Sequence, residues 1–118
     1  MRFRLRDYMK LAQLYLNGGT WNGRRIVSAE WVQRSTQPRY AMGRTWKYGH
    51  LWWMGEYQYG GRTLPYYFAA GNGGQISLAI PDLDLVVAAF GGNYSDASGQ
   101  KTSRDVIPQY VLPAILPR

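Results

Sequence analysis

The 118-residue sequence predicts an α+β fold, in which an antiparallel sheet of three to four strands is flanked by N-terminal and C-terminal helices. Two patterns lead to this prediction. Apolar residues near the N terminus recur every three or four positions, whereas those between residues 64 and 90 alternate or form short runs bounded by turn residues. Short links between consecutive strands require antiparallel pairing, and helices then cover the sheet.

The N-terminal third predicts two helices joined by a turn. Residues 5–17 carry apolar side chains with the spacing of an amphipathic helix, and Gly18-Gly19 is expected to end it. The dipeptide Asn22-Gly23 is a strong turn signal. Ser28 is then expected to cap a short second helix over residues 29–36.

The middle of the chain predicts the strands. Four segments are aromatic-rich, alternating or apolar, and they are residues 48–54, 64–70, 75–80 and 85–90. Residues 39–47 show no clear period and are expected to form a loop, and residues 55–63 are expected to form a turn between strands. The last strand is apolar on both faces, which favours a central position in the sheet.

The C-terminal segment predicts a loop followed by a helix. Residues 91–102 are polar and rich in glycine, and a final helix is expected to start at Ser103 and run to residue 116. Pro108 and Pro113 should kink or fray that helix. We expect residues 1–118 to form a single domain, the C-terminal portion of a larger fold for the reasons given below.

Composition narrows the possible functions. The chain has no cysteine, so thiol nucleophiles and thiolate metal sites are excluded, while the redox compartment and localisation stay open. One histidine and seven scattered acidic residues give no metal-ligand spacing, and we expect neither a metal nor another cofactor. The net charge of +7 is dispersed, so nucleic acid is not an expected partner. The sequence contains neither the apolar run of a membrane span nor a signal peptide.

Three segments are candidates for chemistry. The run GNGGQ, residues 71–75, opens a strand, where it can either present backbone N–H groups to a ligand or form a glycine bulge at a sheet corner. The pair Ser98 and Lys101 matches S-x-x-K, but its expected loop context indicates a chance match. His50 lies among aromatic residues, where a packed histidine is the more common outcome.

Several segments, in their order and spacing, resemble the C-terminal part of the serine β-lactamase-like hydrolases. This family groups class C β-lactamases, related esterases, penicillin-binding carboxypeptidases and 6-aminohexanoate-oligomer hydrolases. The segments that carry the resemblance are LRDYMKLAQLYLNGGTWNGRRIVSAEWV, YGHLWW, FAAGNGGQISLAIPDLDLVVAAFGGNY and VIPQYVLPAI. In this alignment Trp21, Trp31, Trp52 and Trp53 match family core positions, so they are expected to be structural.

The resemblance assigns a role to the glycine-rich run. Asn72, Gly73 and Gly74 fall where the family has its third active-site motif, K-T-G or H-x-G, on the strand that borders the cleft. The backbone N–H of Gln75 would match the family's second oxyanion donor. Asn72 stands where the family has Lys or His, and its amide donates hydrogen bonds without carrying a charge.

The resemblance also implies that the nucleophile lies elsewhere, because the family's S-x-x-K motif precedes the part matched by this chain. We therefore expect the chain to be a hydrolase fragment, a truncated reading frame or half of a split protein, and to be inactive alone. The resemblance implies that a whole member of the family would act on a small amide or ester. An exposed sheet edge predicts a homo-oligomer or association with the missing catalytic portion. The alternatives are an oligomeric hydrolase that uses Ser98 or Ser77, and a basic, aromatic-rich module that binds carbohydrate or nucleic acid.

Overall fold

The computed structural model describes residues 2–95 and 97–117, with the backbone alone for residues 97–100. The helices in this part of the chain are α1 (Leu5–Leu16), α2 (Ala29–Ser35), α3 (Ala97–Val106) and α4 (Leu112–Ile115), with a π-helical turn, Ile107–Val111, between the last two. The strands are β1 (Thr20–Trp21), β2 (Arg24–Arg25), β3 (Tyr40–Met42), β4 (Trp46–Tyr48), β5 (Trp53–Tyr59), β6 (Arg62–Gly71), β7 (Gln75–Ile80) and β8 (Leu85–Ala89).

Strands β3 to β8 form one antiparallel sheet in which spatial order follows chain order, and β1 pairs only with β2. The α+β class and the flanking helices are therefore confirmed. The predicted number of strands is wrong, because this sheet has six described strands instead of three or four.

The extra strands come from a segment in which β3 exposes all its side chains and β4 exposes Lys47 but half-buries Trp46 and Tyr48. Residues 39–47 contain the β3–β4 hairpin, with Gly43 in its turn at φ +69°, and all three residues of β3 are exposed. A strand with no buried face has no apolar alternation for the sequence to show. Similarly, residues 55–63 complete β5 and begin β6, and only Gly60 and Gly61 form the turn. The predicted strand at 48–54 is instead interrupted between β4 and β5.

The N-terminal elements follow the sequence pattern closely. Helix α1 ends one residue before the predicted limit, and Asn22 and Gly23 both adopt positive φ between β1 and β2. The Ser28 hydroxyl oxygen accepts a hydrogen bond from the Trp31 backbone N–H at 3.1 Å, which confirms the predicted cap of α2.

Strand β7 is buried on both faces. Ile76, Leu78 and Ile80 pack with β6 side chains and with the C-terminal helices, through Ile107 and Leu112. On the opposite face, the Ser77 hydroxyl donates a hydrogen bond of 3.0 Å to the Tyr8 carbonyl oxygen of α1. The core of the molecule therefore lies on both sides of this one strand.

Strand β8 lies at the edge of the sheet, which corrects its predicted central position. Its residues are half-buried because α1 and the core side chains cover its two faces. A strand at an edge differs from a central one in its unpaired backbone, not in its side chains. The apolar run therefore predicted correctly that both faces of β8 are covered, but it could not show that β8 lacks a neighbouring strand on one side.

Helix α3 begins at Ala97, six residues before the predicted start, so Ser103 lies within the helix instead of capping it. The segment is polar, and tertiary contacts explain why it is helical. Tyr57 donates a hydrogen bond to the Arg104 carbonyl oxygen at 3.2 Å, and the Arg104 guanidinium lies 4.7 Å from the centre of the Trp46 ring.

None of the described helices is long and apolar enough to cross a membrane.

Buried phenols make the fold sensitive to alkaline pH. Burial raises the pKa of Tyr66 to about 12 and that of Tyr67 to about 12, and it also raises the pKa of Tyr57. A raised pKa means that the folded state holds the phenolic proton more tightly than the unfolded chain. The resulting stabilisation is complete below the ordinary tyrosine value of 10.0 and is lost as the pH rises towards 12.

We expect the free energy of unfolding to fall steeply between pH 10 and pH 12, and Tyr67→Phe to reduce that fall by about 2 kcal/mol. The measurement is urea unfolding across this pH range. Tyr40→Phe, at a position 64% exposed, is the matched control for removal of a phenolic hydroxyl. A Tyr67→Phe profile that coincides with the wild type would contradict the assignment.

Candidate functional site

The glycine-rich run forms the tight connection between β6 and β7. Gly71 and Gln75 face each other as the last pair of the two strands, so Asn72, Gly73 and Gly74 alone turn the chain. Gly73 and Gly74 adopt φ values of +97° and +101°, which side chains rarely tolerate. We call residues 71–75 the glycine corner.

Four hydrogen bonds fix the glycine corner to later parts of the chain. From the loop that follows β8, backbone N–H groups donate to Asn72 Oδ1 at 3.0 Å, to the Gly73 carbonyl oxygen at 3.2 Å and to Gln75 Oε1 at 3.2 Å. From α3, the Ser103 hydroxyl donates to the Gly74 carbonyl oxygen at 2.7 Å. The corner is thereby a rigid tip, since every one of its residues from 72 to 75 has a partner.

The corner contains Asn72, Gly73 and Gly74, which the resemblance placed on a strand. It is a connection, and β7 beyond it pairs with β6 on one side and β8 on the other. A ligand therefore has no free edge of β7 with which to pair. Of the two interpretations of the glycines, the structure favours the tight sheet corner, and contacts to a ligand at this point are confined to the tip.

Two donor groups of the corner have no partner among the residues that the structure describes. Because the carbonyl oxygens of the Asn72 and Gln75 amides accept the hydrogen bonds above, their nitrogens, Nδ2 and Nε2, point elsewhere. Asn72 is exposed and Gln75 is half-buried. The role of the Gln75 backbone N–H as an oxyanion donor stays a prediction.

An open groove of about 880 Å³ lies beside the corner, on the face of the sheet that carries α1. We call it the aromatic groove, because seven of its lining residues are Phe3, Tyr8, Tyr15, Trp31, Tyr48, Trp52 and Phe90. Leu11, Gly49, His50, Leu51, Ala69, Ala70, Gly71 and Gln75 complete the lining. Gly71 and Gln75 thus belong to both the glycine corner and the groove.

The aromatic residues of the groove contact one another in pairs. Tyr15 and Trp52 have ring centres 4.7 Å apart, and Tyr8 and Phe90 have ring centres 5.6 Å apart. Burial raises the pKa of the Tyr8 phenol above its ordinary value, so this side chain is neutral at pH 7. These contacts give the groove walls of defined shape, because paired rings restrict each other's orientation.

The tryptophans of this region are not all structural, contrary to expectation. Trp52 is 4% exposed and belongs to the core, but Trp31 is 41% exposed at the groove. Its ring lies 5.2 Å from that of His50, whose Nδ1 is buried without a partner among the described residues. The predicted packing of His50 among aromatic residues is confirmed.

Leu51 stands at the groove in a strained conformation. Its φ is +66°, and its side chain is 82% exposed. A left-handed conformation costs a non-glycine residue on the order of 1 kcal/mol, and such strain persists only where neighbours impose it. Here backbone hydrogen bonds from Gly49 to Trp52, from His50 to Ser35 and from Leu51 to Gly49 hold the loop. The signal in the sequence is an apolar residue between a glycine-containing turn and a strand, which alone is too common to be informative.

Neither candidate serine is among the described residues that line the aromatic groove. Ser77 is fully buried and bonded to Tyr8, so a substrate cannot reach its hydroxyl. Ser98 and Lys101 lie in the first turns of α3, a correction of their predicted loop context, but the Ser98 side chain is outside the described part of the structure. Lys101 forms an ion pair with Asp105, one turn towards the C terminus.

A second open cavity, of about 700 Å³, differs from the aromatic groove in its charge. It lies over β4, β5 and β6, and its lining includes Arg44, Lys47 and Glu56. We call it the polar cleft. No group of three or more histidine and acidic side chains that could hold a metal ion occurs among the described residues, in either cavity or elsewhere.

Comparison with protein-family models finds no family that matches the chain, and comparison with curated proteins finds no match either. The resemblance to serine β-lactamase-like hydrolases therefore stays a prediction.

The fit of the glycine corner can be tested with two neighbouring glycines. A Cβ atom on Gly91 would lie 2.3 Å from the Gly73 carbonyl oxygen, whereas one on Gly92 would meet open space. We expect Gly91→Ala to destabilise the protein by about 1 to 3 kcal/mol and to shift the amide resonances of residues 72–75. Gly92→Ala should change stability by no more than about 0.5 kcal/mol. Equal stability of the two variants in urea unfolding would show that the corner is not tightly held.

Proposed function

We propose that this chain supplies one wall of the active site of a serine hydrolase of the β-lactamase-like class, and that the nucleophile comes from polypeptide other than residues 1–118. The observation that carries the proposal is the groove's lining. It adjoins the glycine corner, yet its described residues include no serine, threonine, lysine, aspartate or glutamate. Such a surface can hold a substrate, but it offers no serine to attack it.

Each part of this wall has a chemical task in acyl transfer. A serine that attacks an ester or amide carbonyl produces a tetrahedral intermediate whose oxygen carries negative charge. Fixed N–H donors lower the energy of that intermediate, since they need no reorganisation during the reaction. Asn72 Nδ2 and Gln75 Nε2 are donors of this kind, on a corner held by four hydrogen bonds. The aromatic groove holds the acyl group next to them.

One alternative has an observation in its favour. The S-x-x-K spacing acts in hydrolases when the serine opens a helix, because the lysine then lies one turn away. Ser98 and Lys101 do occupy the start of α3. Against this alternative, Lys101 is paired with Asp105, and α3 packs on the face of the sheet opposite to α1 and the groove.

The binding-module alternative has less support for nucleic acid than for carbohydrate. The aromatic rings of the groove offer stacking surfaces, but no lysine or arginine lines it to meet phosphate groups. The basic residues Arg44 and Lys47 line the other cavity.

We expect the folded chain to form no covalent adduct with a reactive fluorophosphonate or, separately, with a penicillin. Intact-protein mass spectrometry measures this, with circular dichroism to verify folding. An adduct that disappears in Ser98→Ala but persists in Ser95→Ala would replace the proposal with the Ser98 alternative. An adduct on any other serine would equally overturn it, because the proposal places the nucleophile on polypeptide other than this chain.

The proposal includes self-association through the edge of the sheet. Strand β8 has the sequence LVVAA, without a charged residue or proline to prevent pairing with another strand. Antiparallel pairing of β8 with β8 of a second copy would extend the sheet across a two-fold axis. The occupant of this edge is thus a second copy of the chain, unless the polypeptide that carries the nucleophile takes its place.

We expect light scattering to give a mass that rises from the monomer value of 13.5 kDa towards twice that value as concentration increases. Amide exchange of residues 85–89 should slow over the same range, because pairing protects the outward amides. Residues 40–42, in the exposed strand at the other edge, serve as the internal control and should not change. A monomer at all concentrations would contradict self-association.

A further inference from the structure

The residues that line the aromatic groove indicate the chemical class of its ligand, in addition to the absence of a serine nucleophile from the groove. Among the described residues that line it, none is Asp, Glu, Lys or Arg. We infer that the groove binds a neutral aryl group, as in an aryl-bearing amide or ester, and discriminates against the same group with a carboxylate attached. The inference rests on the proposed function, because it names the substrate class of that site.

The absence of a cation from the lining decides the preference for a neutral ligand. A carboxylate that leaves water must gain an opposite charge or several hydrogen bonds, and otherwise the transfer is strongly unfavourable. In the glycine corner, Asn72 occupies the position that the resemblance assigns to Lys or His, and its amide is uncharged. The basic side chains of Arg44 and Lys47 belong to the polar cleft.

The shape of the groove favours a ring. Strand β6 contributes Ala69, Ala70 and Gly71, which have a small side chain or none, so the sheet leaves room between the larger residues. Tyr15, Trp52 and Phe90 supply rings around that space. Aromatic groups gain additional stabilisation from offset or edge-to-face contact with other rings. A volume of about 880 Å³ falls within the range of small-molecule sites.

One polar group is placed to orient the ligand. Gln75 lines the groove, and its Oε1 accepts a hydrogen bond from the Gly91 backbone N–H. The amide is therefore oriented with Nε2 as a donor that has no partner among the described residues. A neutral ester or amide offers this donor a carbonyl oxygen. A few directed polar groups in an apolar lining are typical of small-molecule sites.

Leu51 is the groove residue whose solvent exposure a bound ligand would reduce most. Its side chain is 82% exposed, and its φ of +66° is strained, so neither solvent nor backbone energetics favours leucine here. A ligand in the groove would cover that side chain and recover the favourable burial that the free protein lacks. The position therefore contributes to binding at the expense of folding.

The first test compares two ligands that share one ring. N-acetyl-phenylalanine methylamide is neutral, and N-acetyl-phenylalanine carries a carboxylate. We expect the amide to bind at least about ten-fold more tightly, by tryptophan fluorescence titration, and to shift the amide resonances of Gly71 and Gln75. Equal or tighter binding of the carboxylate, or shifts confined to the polar cleft at Lys47, would overturn the inference, as would no binding of either compound.

The second test uses Leu51→Gly. Glycine accepts positive φ without strain, so the variant should be at least as stable as the wild type. Loss of the covering side chain should nevertheless weaken binding of the neutral amide about ten-fold. Ile115→Ala, which truncates an exposed apolar side chain in α4, is the control and should leave affinity unchanged. Unchanged affinity in Leu51→Gly would contradict the assigned role.

These results are independent of the nucleophile. Binding of the neutral amide by a chain that also forms a covalent adduct would retain the inference and overturn the proposed division of the active site. Failure of binding without an adduct would overturn the inference and leave the proposed function standing.

Discussion

The burial of β7 on both faces is the constraint on which the rest of the structure depends. Ile76, Leu78 and Ile80 form the centre of the core with the C-terminal helices, and Ser77 ties the opposite face to α1. A strand that is covered on both sides and paired at both edges cannot shift its register without exposing one set of side chains and burying another. The first residue of that strand is Gln75, so the fixed register also fixes the glycine corner.

The site inherits its rigidity from this arrangement. The corner is held by the loop after β8 and by Ser103 of α3, so two later segments of the chain fix it. The aromatic groove opens beside this rigid tip, whereas Leu51 approaches it from a strained loop. Donors that are already held in place need no reorganisation when a ligand arrives, and this preorganisation is what the proposed acyl-transfer role depends on.

The sequence predicts those parts of the structure in which local apolar spacing or capping chemistry determines the conformation. Helix α1, the Ser28 cap and strand β7 were predicted from apolar spacing and capping chemistry, which depend on neighbours a few residues away. Strand β3 and residues 97–102 of helix α3 were not, because β3 buries no side chain and α3 is polar and is held by Trp46, Tyr57 and Gly74.

The candidate site shows the same division. The glycines at 73 and 74 indicated a special backbone conformation correctly, since positive φ is a local property. The aromatic groove was not foreseen, because its lining comes from residues 3 to 90 and forms only when α1, α2 and β6 come together. Trp31 and Trp52 look alike in sequence, and only the tertiary structure separates the exposed ring from the buried one.

The hydrogen bond between Ser77 and Tyr8 has a consequence for synthesis of the chain. Its two residues are 69 positions apart, and α1 rests on β7 and β8. The hairpins of the sheet can form from neighbouring segments, but the surface of β7 and β8 on which α1 packs does not exist until residues 75–89 have been made. During translation, the apolar side of α1 therefore stays incompletely covered until more than half of the chain has been made. Nascent chains in that interval are prone to aggregate or to bind a chaperone.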